Sequence, residues 1–271
     1  MTDISPKGRK LINALGIPGI LLMIWLGGFY FSIFITVVIV LALKEFYSLY
    51  RSKGIYASLT MGLVGSVFFV WFYHFEPYLN MLAVIQLAIL FVLLLLILEL
   101  FSKKINPVSN LAYTIFGIAY IPMLLGTLIA LRQIDMTYGT YYTIAIIVSV
   151  WICDTAAFGF GVKWGKKKIF PRTSPNKSIV GSVAGFISVL AFFIILAYFE
   201  IPSSDLTMQD VIIFSIISGV FGQLGDFVES LFKRDAGVKD SGTFLLGHGG
   251  VLDRFDSLIF AAPLTYFYLH F

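Results

Sequence analysis

Apolar residues in this chain run in long stretches separated by short polar connections. Nine such stretches fall at roughly residues 9–26, 29–50, 59–75, 78–100, 110–131, 139–162, 179–199, 207–232 and 250–269. A helix needs about 20 mostly apolar residues to cross the hydrocarbon core of a bilayer. Lipid offers no partner for backbone N–H and C=O groups, so only helices and closed barrels span it. The ten-residue apolar/polar alternation of a membrane barrel is missing from the sequence. The pattern predicts an all-α, polytopic integral membrane protein with about nine transmembrane helices. The first stretch follows Lys7, Arg9 and Lys10, as in a secretory signal. It is too long for one and no small-x-small cleavage site follows it, so it reads as a retained helix.

Composition sharpens this picture. Of the 271 residues, 59% are apolar and 13% charged, against about 45–50% and about 25% in soluble domains. The 27 Phe, 14 Tyr and 4 Trp exclude disorder, and a single Cys excludes an internal disulfide framework. Basic residues then orient the chain. With the N-terminus in the cytoplasm, the inner segments hold Lys7, Arg9, Lys10, Arg51, Lys53, Lys103, Lys104, Lys163, Lys166, Lys167, Lys168, Arg172, Lys177, Lys233, Arg234 and Lys239, which is 16 of the 19. Only Arg132 falls in an outer loop, beside Glu76, Asp135, Glu200, Asp205 and Asp210. The positive-inside rule therefore predicts a cytoplasmic N-terminus and an outer C-terminus in the cell's inner (plasma) membrane. The net charge of +4 is a topological and lipid-facing feature, and no nucleic-acid partner is expected.

The charges also divide the chain. Residues 1–108 are chemically quiet. Lys44, Glu45 and Glu99 lie near the inner ends of their helices and read as side chains snorkelling to the interface, with His74 interfacial. Residues 109–271 carry Asp154, Asp226, Glu229, Asp253 and Asp256 inside apolar helices. A charge at a helix centre costs about 2.5–3.5 kcal/mol on insertion scales, so intramembrane acids need compensation. Asp226, Ser230 and Lys233 share one helical face, as do Asp253 and Asp256. Three readings compete: pairing with Lys233, Arg234 and Arg254, an ion or proton pathway, or a divalent metal site, since hard oxygen ligands suit Mg²⁺.

Two cytoplasmic loops favour the last. Residues 233–249 combine Lys233, Arg234 and Lys239 with several glycines, and Gly249–Gly250 leads into the last helix just before Asp253 and Asp256. Basic side chains, permissive glycines and helix N-terminal amides together suit a Mg²⁺–polyphosphate site. Residues 163–178 hold six basic residues and no acid, and include Ser174-Pro175-Asn176-Lys177-Ser178. They offer a second phosphate-binding surface on the same face.

Three segments carry a family resemblance. Ser230-Leu231-Phe232-Lys233-Arg234, Lys239-Asp240 and His248-Gly249-Gly250-Val251-Leu252-Asp253-Arg254-Phe255-Asp256 resemble the signature of phosphatidate cytidylyltransferases, or CDP-diacylglycerol synthases. Asp154 with Ala157, and residues 174–178, resemble two further segments of that family. The likeness covers roughly residues 150–256. It departs at Asn176 and Ser178, where Lys and Thr are usual, and at Val180, where an acid is common. The resemblance implies transfer of CMP from CTP to phosphatidate, Mg²⁺ as cofactor with a second metal ion left open, and a homodimer in the lipid bilayer. It implies Asp226 and Asp253 as metal ligands, joined by Asp256. It implies Lys233, Arg234, Lys239, Asp240, His248 and Arg254 as the catalytic group. Asp154, Arg172, Ser174, Asn176, Lys177, Ser178, Gly249 and Gly250 are the expected substrate-binding residues. The alternatives are a CTP-dependent kinase of a polyprenol or phytol, and a transporter of a phosphorylated solute. A CDP-alcohol phosphotransferase is disfavoured because no D-G-x-x-A-R run occurs. This division of the chain predicts that Lys7→Ala and Lys53→Ala leave turnover of the purified protein nearly intact; a large loss in a phosphatidate-dependent assay would contradict it.

Overall fold

The computed structural model describes residues 6–75, 81–201, 206–242 and 249–270. Its helices are α1 (Pro6–Leu26), α2 (Gly28–Leu49), α3 (Leu59–Phe75), α4 (Met81–Leu100), α5 (Pro107–Ile118), α6 (Thr127–Gln133), α7 (Gly139–Trp164), α8 (Ile179–Tyr198), α9 (Met208–Ile216), α10 (Gly222–Asp235) and α11 (Leu252–His270). Among the described residues there is no β-strand, only an isolated antiparallel bridge between Lys168 and Ser178. The all-α, multi-helix membrane architecture expected from the sequence is present. Among the described residues, six helical segments are long and apolar enough to cross a membrane: Gly28–Lys53, Leu82–Leu100, Pro107–Gln133, Gly139–Trp164, Ile179–Tyr198 and Met208–Asp235.

Two of these are not plain α-helices, although the apolar pattern gives no sign of it. Between α5 and α6 the chain passes through a π-helical stretch, Ala119–Met123, that contains Pro122. Proline lacks a backbone N–H and its ring crowds the preceding turn, so the wider turn relieves the clash. A second π-helical stretch, Ile217–Phe221, joins α9 to α10 around Gly219.

Helices in lipid gain little from hiding apolar surface, so their association rests on close van der Waals contact at small residues. The bundle shows this at two places. α7 and α8 meet where a Cβ at Gly185 would lie 3.0 Å from the Cys153 carbonyl oxygen. α10 and α11 meet where a Cβ at Gly225 would lie 2.6 Å from the Asp256 carbonyl oxygen. α2 runs through the core, with Phe31, Ile35, Ile39, Leu43 and Phe46 buried. α4 is peripheral, with Leu90, Leu93 and Ile97 exposed.

Polar side chains at one end of the bundle lock helix termini together. Arg132 Nε donates to the Ile24 carbonyl at 2.7 Å, capping the C-terminal end of α1 beside the left-handed Gly27. His74 Nδ1 lies 2.8 Å from Ser32 Oγ and 3.1 Å from Gln133 Nε2. Tyr268 donates its hydroxyl to Asp210 at 2.5 Å. The other end holds the acids and lysines. Gly225 is what lets α10 and α11 bring them together. Gly225→Ala is expected to cost about 1–3 kcal/mol through forced separation of the two helices, whereas Gly159→Ala, with open space around it, is expected to be neutral. Thermal melting of the two variants in detergent checks this.

Candidate active site

The loop between α7 and α8 is folded back on itself. Ile169 N donates to the Lys177 carbonyl at 3.3 Å and Ile179 N to the Lys167 carbonyl at 3.0 Å. Ser178, buried, caps α8 by accepting a hydrogen bond from Gly181 N at 3.2 Å. Lys168 Nζ donates to the Asn176 carbonyl at 3.3 Å, and Ser174 is buried beneath the turn. This geometry directs Lys177 inward. Its ammonium pairs with Asp226 on α10 and lies 4.7 Å over the Phe227 ring. Burial pushes the Lys177 ammonium below the usual lysine range, while the neighbouring Asp256 and Asp154 carboxylates hold it up. Arg234 spans to the same loop: Nε donates to the Thr173 carbonyl at 3.2 Å and Nη1 to the Val238 carbonyl at 2.9 Å. One guanidinium thus joins the two loops that the sequence marks as basic.

Lys233 forms the second ionic centre. It is 8% exposed and is shared between Glu229, one turn earlier on α10, and Asp253 Oδ1 on α11 at 2.6 Å. Asp253 is a hub. It accepts from Gly250 N at 2.6 Å, from Ser241 N at 3.1 Å and from Ser241 Oγ at 2.9 Å, all at Oδ2. Leu252 N, the first amide of α11, donates to Glu45 Oε2 at 2.9 Å. The amides at the start of α11 therefore meet carboxylates of the protein, which satisfy them and complement the helix dipole.

Glu45 is a correction to the sequence reading. Its carboxylate does not snorkel to the interface; it reaches the first turn of α11 because α2 packs beside that helix. Lys44, its neighbour, is exposed as expected. Glu99, also expected at the interface, accepts from Asn110 Nδ2 at 3.2 Å. Glu229 is 1% exposed, and Asp256 is 7% exposed, so the acids are drawn deep into the bundle. The hydroxyls of Tyr120 and Ser257 are buried without a hydrogen-bond partner. Among the described residues, no three His, Cys, Asp or Glu side chains are gathered closely enough to hold a metal ion alone.

Lysines and carboxylates thus meet in ion pairs at one end of an otherwise apolar bundle. Comparison with known proteins shows the family. The sequence profile of the cytidylyltransferase family matches residues 7–271. The chain belongs to the cytidylyltransferase family. It is a membrane nucleotidyltransferase. It is 34% identical over 262 residues to a phosphatidate cytidylyltransferase of Staphylococcus aureus (strain COL), covering 95% of this chain and 96% of that protein. It is 32% identical over 274 residues to that of Bacillus subtilis (strain 168), covering 98% of each. A Staphylococcus haemolyticus phosphatidate cytidylyltransferase is 40% identical over 163 residues, 60% of each chain.

The fold gathers part of the expected residue set. Asp226, Lys177, Lys233, Asp253 and Asp256 converge, with Asp154 close enough to Lys177 to act on its charge. Gly249 adopts a left-handed φ of 80°, and Gly250 is buried against Asp253. Arg172, Asn176, Lys239, Asp240 and Arg254 are exposed around this centre. His248 lies outside the described residues. Glu45 and Ser241 carry no site role in the sequence reading. Ser241 sits beside the Lys239-Asp240 pair, which is the available signal; Glu45 gives none locally.

The sharing of Lys233 has a measurable consequence. Removing one partner of a buried pair strands the other and costs about 3–5 kcal/mol, while apolar replacement of both is far milder. Lys233→Met is expected to lower unfolding stability by about that amount, and Glu229→Met in the same chain to restore much of it. Denaturation of the single and double variants in detergent measures the difference.

Proposed function

We propose that this chain transfers CMP from CTP to phosphatidate, giving CDP-diacylglycerol and pyrophosphate. The observation that carries this reading is the pairing of Lys177 with Asp226 and of Lys233 with Glu229 and Asp253, beside basic loops at one end of a lipid-adapted bundle. A soluble polyanionic nucleotide and a membrane-held phosphate have to meet at such a boundary. We place that end in the cytoplasm, with about nine crossings, an outer C-terminus and a plasma-membrane location, on the distribution of basic residues. Residues 1–108 then act chiefly as scaffold and 109–271 as the catalytic region, in a homodimer.

In this reaction a phosphate oxygen of phosphatidate attacks the α-phosphorus of CTP. The bond from that phosphorus to the α–β bridging oxygen breaks, and pyrophosphate leaves with the electron pair. The nucleophile is already anionic at neutral pH, so catalysis rests on positioning and charge neutralisation. Lys177 and Lys233 supply inner cations. Arg172, Arg234, Lys239 and Arg254 form an outer basic rim. Asp154 and the turn built by Ser174, Asn176 and Ser178 orient Lys177; Gly249 and Gly250 allow close approach of the backbone. Asp240 follows Lys239 in the same segment, and the orienting of a phosphate by His248 rests on the sequence signature alone.

The donors fit a divalent ion in type. Mg²⁺ needs one or two carboxylates and takes its other ligands from substrate phosphate and water. Asp226 and Asp253, with Asp256, would hold it. When bound it supplies charge neutralisation on the CTP phosphates.

The test is a purified-protein assay of pyrophosphate release. Release that requires CTP, phosphatidate and Mg²⁺ together, with cytidine label entering the lipid, is the expected result. Entry of γ-phosphate label instead would make the protein a lipid kinase. Asp253→Asn is expected to lower turnover by about 100-fold or more; full activity in that variant would remove Asp253 from the site.

A further inference from the structure

We infer that Glu45, in the N-terminal helices, is a positioning residue for Asp253. The inference rests on the reading of Asp253 as a metal ligand and adds a residue from the half of the chain otherwise assigned to scaffold. Glu45 Oε2 accepts from Leu252 N at 2.9 Å and lies 3.3 Å from Ser241 Oγ. The same Ser241 Oγ lies 2.9 Å from Asp253 Oδ2. A hydroxyl has one proton to donate, so Ser241 is gripped between the two carboxylates. Glu45 thereby ties together residue 241, where the glycine-rich segment is entered, and residue 252, where α11 begins. Both points flank Asp253, whose rotamer is set by Ser241 and by Gly250 N.

A second observation points the same way. A Cβ at Gly242 would stand 2.5 Å from Glu45 Oε1, and one at Gly250 would collide with Glu45 Oε2 and Ser241 Oγ. Two glycines of the segment are thus explained by the room that one carboxylate from α2 occupies. Glu45 Oε1 is itself buried and unpaired with any donor. The carboxylate also places negative charge at the N-terminus of α11, where the helix dipole favours it. Replacing a group that orients a metal ligand typically costs about 10- to 100-fold in metal affinity or activity.

The experiment compares Glu45→Ala, Glu45→Gln and Ser241→Ala in the purified full chain. Mn²⁺ binding is read by electron paramagnetic resonance and turnover by pyrophosphate release. Glu45→Ala is expected to weaken Mn²⁺ binding and turnover by about 10- to 100-fold. Glu45→Gln, which keeps an acceptor for Leu252 N, is expected to recover most of both. Ser241→Ala is expected to reproduce part of the Glu45→Ala loss, and its combination with Glu45→Gln to be no worse than the more severe single change. Glu99→Gln, a carboxylate on α4 remote from α11, serves as the unaffected control. Wild-type Mn²⁺ binding in Glu45→Ala would overturn the inference, whether or not turnover falls. If Glu45→Ala does not fold, wild-type Mn²⁺ binding in Ser241→Ala overturns it equally. A wild-type chain that lacks phosphatidate-dependent turnover would instead refute the proposed reaction.

Discussion

Two lysines pair with three carboxylates at one end of this bundle, and the packing of the helices there meets that constraint. A carboxylate taken out of water loses far more solvation than any single contact returns. Lys233 answers Glu229 and Asp253, and Lys177 answers Asp226 while lying in the field of Asp256 and Asp154. α10 and α11 have to pack closely at Gly225 for Lys233 to reach both helices. The loop before α8 has to fold back through its Lys168–Ser178 bridge for Lys177 to point inward. A lysine is also what a phosphate requires. In the proposed reaction the lysines that pair with the buried acids are also the cations that would meet phosphate, so stability and chemistry would draw on the same pairs.

The helical architecture was legible because lipid simplifies the code. Long apolar runs have one structural outcome in a bilayer, and the few acids stand out against them. The convergence of Asp226, Asp253 and Asp256 near basic loops followed from helical spacing and from the signature over residues 230–256. Three things were hidden for physical reasons. The π-helical stretches at 119–123 and 217–221 leave hydropathy unchanged, since they alter the hydrogen-bond ladder and not the side chains. The interior destination of Glu45 depends on which helix packs beside α2, and a sequence carries no local mark of that. The pairing of Lys233 with two acids at once reflects a contact between elements 20 residues apart; spacing alone leaves pairing with the acids and a phosphate role as competing readings.

The N-terminal helices make polar contacts with the C-terminal ones. At the charged end, α2 contributes Glu45 to α11, and just beyond it Lys53 pairs with Asp235 at 3.0 Å while Tyr50 donates to the Phe232 carbonyl at 3.4 Å. An exposed pair such as Lys53–Asp235 contributes little by itself. The buried carboxylate is different in kind, because it acts on the backbone that presents Asp253.

The π-helical stretch at Ile217–Phe221 sets the rotational phase of α10. Each residue in an α-helix turns the chain by about 100°, so a wide turn upstream fixes which way Asp226, Glu229 and Lys233 point downstream. A π-helical turn takes one residue more than an α-helical turn, so these five residues turn the chain about as far as four α-helical ones would. The same five residues wound as plain α-helix would carry the acidic face about a quarter-turn away from α11. The direction in which the acids point is therefore written partly in five uncharged residues, a turn or more before the first aspartate. A change of winding there would displace every charged side chain of α10 with none of them altered in the sequence.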